Sequence, residues 1–139
     1  MSDPLDWNAK TIAEFRANEG RVARFSDRKI LLLTTTGARS GEPRISPLAY
    51  VTDGSPDRIV LFASHLGAAH HPAWYHNLSA HPEVAVEAGT DEFKATASTA
   101  EGAEHDRLYT LFTSQMPGTE DHQSRTERRI PMVVLERIR

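Results

Sequence analysis

No cysteine occurs among the 139 residues. That excludes disulfides, thiolate nucleophiles and Cys-ligated metal. A basic excess is missing too: 16 Lys and Arg against 19 Asp and Glu leave a formal net charge of −3. Bulk nucleic-acid binding normally needs the opposite balance, so no nucleic-acid partner is expected. No apolar run approaches the ~20 residues of a membrane span. The polar, acidic opening MSDPLDWNAK does not read as a secretory signal. There is no strand–GxGxxG–helix unit, which argues against a dinucleotide fold. Repeats, low-complexity tracts and linkers are likewise missing. The expectation is one cytoplasmic domain over 1–139, with 1–24 as an N-terminal helical extension.

What is present alternates between short strands and turns. Residues 7–18, with Trp7, Ile12 and Phe15, suggest an imperfect amphipathic helix. Residues 29–36 and 44–52 read as paired strands, and Asp53 to Asp57 as a turn. Residues 58–64 form a third strand. Pro72 suits the first turn of a helix running to about Ala80. Residues 83–88 and 92–99 alternate as strands, 101–114 look helical on Ala103, Leu108, Leu111 and Phe112, and 130–138 close as a strand. Gln115 to Arg129 reads as a long polar loop. The fold class is therefore mostly β with helices (α+β). About six largely antiparallel strands curl into a barrel with flanking helices.

Three stretches could carry chemistry. TTTGARSGEPRISPL, residues 34–48, joins two strands through more than a hairpin needs. Thr34, Thr35, Thr36 and Ser40 offer hydroxyls. Gly37 and Gly41 allow close backbone approach and exposed amides. Arg39 and Arg44 offer donors suited to phosphate or carboxylate, with Arg24, Arg28 and Lys29 adding to the field. A solvated hairpin bearing surface arginines is the plainer reading. GARSG is not a G-x-S-x-G nucleophile elbow, since its serine falls one place late. The second stretch, residues 63–82, holds His65, His70, His71, His76 and His81. Their spacing does not make a metal set, and no metal is expected. The third is the loop 116–131, where His122 alone titrates near neutrality.

Together these stretches resemble the deazaflavin-dependent nitroreductase family, users of coenzyme F420. The motifs TTTGARSGEPR-x-x-PL, SHLGAAHHPAWYHNL and DHQSRTERRIPMVVL stand in that family's order and spacing, over about residues 25–137. The resemblance implies a split β-barrel like that of FMN-binding proteins. It implies an oxidoreductase passing hydride from reduced F420 to an electron-poor acceptor, such as a quinone, an activated alkene or a nitroaromatic. Alternatives are a non-catalytic deazaflavin carrier and FMN in the same barrel. It places the cofactor's phosphate and polyglutamate tail at Ala38, Arg39, Ser40 and Arg44, beside Gly37. Ile45, Ser46, Pro47, Leu48 and Ala49 would line the deazaflavin. Phe62, Ala63, Ser64 and His65 would bring backbone and hydroxyl groups to the ring, and Ala73, Trp74, Tyr75, His76 and Asn77 would close its other side. Family members often carry lysines at His65 and His70. Well-known nitroreductases place substrate-facing tyrosines where this chain has Met116, Thr119 and His122. Ser64 and His122 are the candidate catalytic residues, with Glu120 and Asp121 positioned in sequence to raise the His122 pKa. A homodimer is the expected assembly.

Overall fold

The computed structural model describes residues 4–25 and 28–138, excluding the side chains of 4–7, 24 and 66. The Trp7 and Arg24 side chains invoked above lie outside the described residues. The chain runs α1 (Pro4–Ala17), β1 (Ile30–Thr36), β2 (Pro43–Ala49), β3 (Val51–Thr52), β4 (Arg58–Phe62), α2 (Ala73–Ala80), β5 (Glu83–Ala88), β6 (Asp91–Thr99), α3 (Gly102–Gln115), α4 (Glu120–Ser124) and β7 (Met132–Arg137). Short 3-10 turns cover Ala23–Phe25 and His65–Gly67.

The strands form one antiparallel sheet in the order β2-β1-β5-β6-β7-β4-β3. Seven strands replace the expected six because the run 44–52 breaks at Tyr50, whose N–H turns to the Lys29 carbonyl at 3.1 Å. Before the break this segment pairs with β1, Ile30 opposite Ala49; after it, Val51 pairs with Val60 of β4. One peptide thus forms both edges of the sheet, and the sheet curls into a barrel to let it do so. Among the described residues, four α-helices stand where three were expected. The fourth, α4, falls inside the segment read as loop, and its five residues, EDHQS, offer no apolar periodicity to reveal it.

Side-chain alternation sorts the strands into an inside and an outside. Leu31, Leu33, Ile59, Leu61, Val84, Val86, Ala95, Ala97, Val133 and Leu135 fill the barrel. Their chain neighbours face outward and are covered in turn. Ile30 and Leu32 pack under Phe15 of α1, and Val60, Phe62, Met132 and Val134 under Leu108 and Phe112 of α3. Burial on both faces explains why β1 opens as four consecutive apolar residues. Trp74 and Leu78, one turn apart on α2, enter the interior cluster. His105 is a core residue the apolar pattern of α3 did not suggest. It is only 7% exposed, and its Nε2–H donates to the Ile130 carbonyl at 2.8 Å. Its Nδ1 accepts from Arg129 at 2.9 Å, so both ring nitrogens are satisfied.

Candidate functional site

The turn between β1 and β2 is built from its glycines. Gly37 is buried, and a Cβ there would collide with Ser40 Oγ and stand 3.2 Å from the Glu42 carbonyl. Gly41 takes φ +72, a left-handed conformation that favours glycine. Their amides, expected to point outward, instead close the turn. Gly37 N–H donates to Glu42 O at 2.8 Å, and Gly41 N–H to Gly37 O at 2.9 Å. The Glu42 N–H donates to Ser40 Oγ at 3.2 Å. Ala38 N–H donates to Asn77 Oδ1 at 3.0 Å, and Asn77 Nδ2 donates to Thr35 Oγ1 at 3.1 Å. Asn77 is buried and spends both ends of its amide fixing the turn to α2. No backbone bond among the described residues uses the Arg39 or Ser40 amide, and Arg39, Ser40 and Arg44 are all exposed. Among the described residues, the only ion-pair partner at these two arginines is Glu42, 3.6 Å from an Arg44 side chain that is 56% exposed.

Below the turn, the two rims of the sheet separate. β2 pairs only with β1, and β3 meets β4 at two residue pairs, so past Tyr50 the segment 45–49 and the end of β4 diverge. Ile45, Ser46, Pro47, Leu48 and Ala49 form one rim, all half-buried; Ile45 and Ala49 pack toward Phe15 of α1, and Leu48 against the barrel interior. Phe62, Ala63 and Ser64 form the other, buried at 8%, 0% and 8%. His65 follows, exposed and at φ +49, a strained setting for a residue with a Cβ. Ala63 N–H donates to Pro131 O at 3.1 Å and Ser64 N–H to Phe62 O at 2.8 Å.

α4 delivers His122 to the second rim. Its ring is stacked on Phe62, with planes 5° apart and centroids 6.3 Å apart, and its Nδ1 lies 2.9 Å from Ser64 Oγ. The two candidate catalytic residues, 58 positions apart in sequence, therefore share a hydrogen bond. The His122 pKa lies below the ordinary histidine value, opposite to the direction expected from its acidic neighbours. Burial disfavours the imidazolium first, and the positive charges of Arg125 and Arg28 outweigh the attraction of Asp121. α4 docks on the turn His65–Gly67, and Gly67 is the point of contact. At φ +80, a Cβ on it would sit 2.7 Å from the His122 carbonyl and 2.9 Å from Arg125 Cβ.

Arg128 is a residue the sequence reading passed over. Its guanidinium donates to Ser64 O at 2.6 Å, Ala68 O at 2.8 Å, Ala63 O at 3.3 Å and His71 Nδ1 at 2.9 Å. Arginine has no acceptor, so His71 must be neutral with its proton on Nε2. Burial, then the charges of Arg128 and His76, push the His71 pKa down. The His71 ring packs against Tyr75 at 4.9 Å and His76 at 5.7 Å, and Tyr75 OH is 3.0 Å from Thr99 Oγ1. Ala73 and His76 are exposed at this helix start, whereas Trp74 is a core residue at 8%. His70 is exposed beside them. Met116 and Thr119 are 6% and 9% exposed; Met116 packs with Phe62 and Phe112, and the Thr119 hydroxyl donates to Met116 O at 2.7 Å. They lie behind the rim, and His122 is the member of that trio nearest the surface.

A concavity of about 760 Å³ lies between α1 and the β5–β6 turn, away from the rims. A groove of about 600 Å³ does start at Thr34, Thr36 and Gly41, and runs past His81 to Lys94. The polar groups fall in two places: the Ser64–His122 pair on the β4 rim, and the arginine-bearing turn that Asn77 of α2 fixes in place. No group of three His, Asp or Glu residues is placed to hold a metal ion among the described residues.

Comparison with known proteins bears on this arrangement. An F420H2-dependent quinone reductase of Mycobacterium tuberculosis is 40% identical over 110 residues, spanning 77% of this chain and 72% of the relative. A second protein of that organism, a putative F420H2-dependent quinone reductase, is 34% identical over 76% of this chain and 87% of its own length. Among solved structures, an F420H2-dependent reductase (FDR-A) superposes with a TM-score of 0.71 at 36% identity, covering 78% of this chain and 95% of that one. A structure described as a domain-swapped dimer matches at TM-score 0.73 and 34% identity, over 96% of this chain and all of the other. The heme storage protein HutZ of Vibrio cholerae, at 19% identity and TM-score 0.58, shares the fold alone. The family model for F420H2-dependent quinone reductase matches residues 7–137. With nearly the whole length matched, the chain belongs to the F420H2-dependent quinone reductase family, oxidoreductases that work with coenzyme F420 on a split barrel.

Proposed function

We propose that this chain reduces a quinone-like acceptor with F420 seated along the seam, its ring between residues 45–49 and 62–65 and its anionic tail at the turn. The observation that carries the reading is the Ser64–His122 hydrogen bond at the inner end of the seam, 2.9 Å long. The donor set fits such a cofactor. Arg39, Arg44 and the Arg39 and Ser40 amides share one turn, with Glu42 as a competing carboxylate there. When bound, the reduced deazaflavin supplies a hydride, two electrons in one step. The protein's share is binding, orientation and one proton. Arg39 and Arg44 hold charge at the turn while Asn77 keeps the turn in place. Phe62, Leu48 and the ring of His122 present apolar surface that excludes water from the seam. Ser64 Oγ donates a proton to the acceptor oxygen that becomes negative on reduction, and His122 Nδ1 replaces it.

Residues 1–139 act in this reading as one cofactor-binding domain with 1–24 as a helical extension, working in the cytoplasm as a homodimer. No helix among the described residues is long and apolar enough to cross a membrane. Titrating F420 while following the fluorescence of Trp74, then measuring oxidation of the reduced cofactor by menadione, tests the proposal. Saturable binding and turnover are expected. Binding without accelerated oxidation by any acceptor would mark a carrier, and equal affinity for FMN would mark a flavin protein.

A further inference from the structure

Arg128 lies outside every role assigned so far, yet its side chain bonds to four groups along the β4 rim and the loop that follows it. Its three donating nitrogens reach three carbonyls and one imidazole, all within residues 63–71. That segment leaves β4, carries Ser64 and His65, and returns at His71 to enter α2. A surface arginine usually makes one or two such bonds and contributes little. This one is half-buried, and burial lowers its pKa, a cost accepted only where the acceptors are in place. Arg128 is itself fixed. Gln123, beside His122 on α4, donates its Nε2–H to the Arg128 carbonyl at 2.7 Å, and its Oε1 accepts the Ile130 N–H at 2.9 Å. One connected set of bonds therefore spans α4, the strand entry at Ile130 and the loop carrying Ser64.

We propose that Arg128 is a positioning residue for the reaction, setting the Ser64 hydroxyl against His122 by holding the carbonyls of Ala63, Ser64 and Ala68, with neutral His71 as its fourth acceptor. It touches neither acceptor nor cofactor in this role and acts through Ser64. The planar fork is what the geometry needs. Four acceptors spread around one group match a guanidinium, whereas a lysine ammonium has three donors at a single point. His71 faces Arg128, Tyr75 and His76. Protonating it would set two cations 2.9 Å apart and withdraw the acceptor. The inference rests on the seam being the reactive site, but its first readout does not need the cofactor.

The test uses Arg128→Lys in the full chain. Nitrogen-15 NMR of the His122 and His71 rings, without cofactor and above the histidine pKa range, reports tautomer and hydrogen bonding directly. The wild type should show one fixed tautomer at each ring, with the proton of His71 on Nε2. In the variant His71 should lose its Nδ1 acceptor signature, and His122 should shift toward a tautomer mixture as Ser64 drifts. In turnover, kcat with menadione should fall about tenfold while KM changes less than about twofold, the pattern for lost proton-donor placement. A folded variant with unchanged His122 signals and unchanged kcat would overturn the proposal, whatever its stability. Should Arg128→Lys not fold, His71→Leu removes one acceptor and should move the His122 signals in the same direction; unchanged signals there would overturn it too. If wild-type protein binds no F420, the functional reading fails, and the NMR comparison still decides the role of Arg128.

Discussion

Gly67→Ala is the sharpest probe of how α4 is held. A residue with a Cβ at φ +80 costs about 1–2 kcal/mol on backbone grounds alone. The new methyl would also press on the His122 carbonyl of α4 at 2.7 Å and on Cβ of its C-cap, Arg125, at 2.9 Å. Overpacking of that kind adds about 1–3 kcal/mol unless the neighbour yields. Gly54 supplies the control. It has nearly the same torsion, φ +77, and open space where its Cβ would go, so Gly54→Ala shows the backbone cost without the collision. Urea unfolding at unchanged m-value should therefore place Gly67→Ala below Gly54→Ala by about 1–3 kcal/mol. If α4 instead yields and swings away, the stability gap narrows while the 2.9 Å bond between His122 and Ser64 is lost. Menadione turnover would then fall by about tenfold or more, with F420 affinity unchanged, because the turn that holds the tail is elsewhere. Equal stability of the two alanine variants together with wild-type turnover in Gly67→Ala would refute the claim that α4 is seated by this glycine.

Arg44→Ala should weaken F420 binding by about 1 kcal/mol, below the usual ~1.5–3 for charge-assisted bonds because the side chain is largely exposed, and added salt should shrink the effect. Glu42→Gln should tighten binding slightly by releasing Arg44, so isothermal titration of the two variants should move in opposite directions. Because the His122 pKa is depressed, the folded chain holds its contribution above the ordinary value near 6.5 and loses it as pH falls through the folded pKa; His122→Phe should flatten that acid-side loss of stability in a pH series of urea midpoints. In turnover the same shift puts the imidazolium in the acid range, so the wild-type rate should decline as pH rises through that lowered pKa, and His122→Phe should remove the decline. Asp53, held by Arg107 and Arg58 at 2.7 and 3.0 Å, has its carboxyl at about 2, so Asp53→Asn should destabilise by about 1–2 kcal/mol near neutral pH. That difference should vanish as the wild type is titrated below pH 4 toward 2 in thermal melts.

The parts legible from sequence were those written in short-range pattern. EVAVEA alternates in a strand of residues 83–88, and it is one. Pro72 announced a helix that begins at Ala73. The break at Tyr50 was hidden, because PRISPLAYVT has no turn residue at that point and only the demand of two different partner strands interrupts it. At the turn, the two arginines are visible in the sequence, but the Gly37 and Gly41 amides close the turn itself, because their internal bonds depend on a fold of the turn that spacing does not fix. Asn77 read as a ring contact; its partners lie 39 and 42 residues back, at a distance no local pattern carries. Arg128 had one available signal, three arginines within five residues of an otherwise acidic chain, but which of Arg125, Arg128 and Arg129 turns inward is decided by tertiary packing.

β7 has a further consequence for how such a chain comes together. It is last of the strands in sequence, yet it lies between β6 and β4 in the sheet. Until it is synthesised, no strand ladder links the two pieces, β2-β1-β5-β6 on one side and the two-stranded β4-β3 on the other, which the chain joins at Tyr50 and through α2. The β4 edge meanwhile stays open, with five residues whose pairing partners have not yet left the ribosome. The open β4 edge can then also pair with the β7 of another copy, though its own β7 is at higher effective concentration, and nascent chains crowded on one message would be the setting in which exchanged assemblies compete.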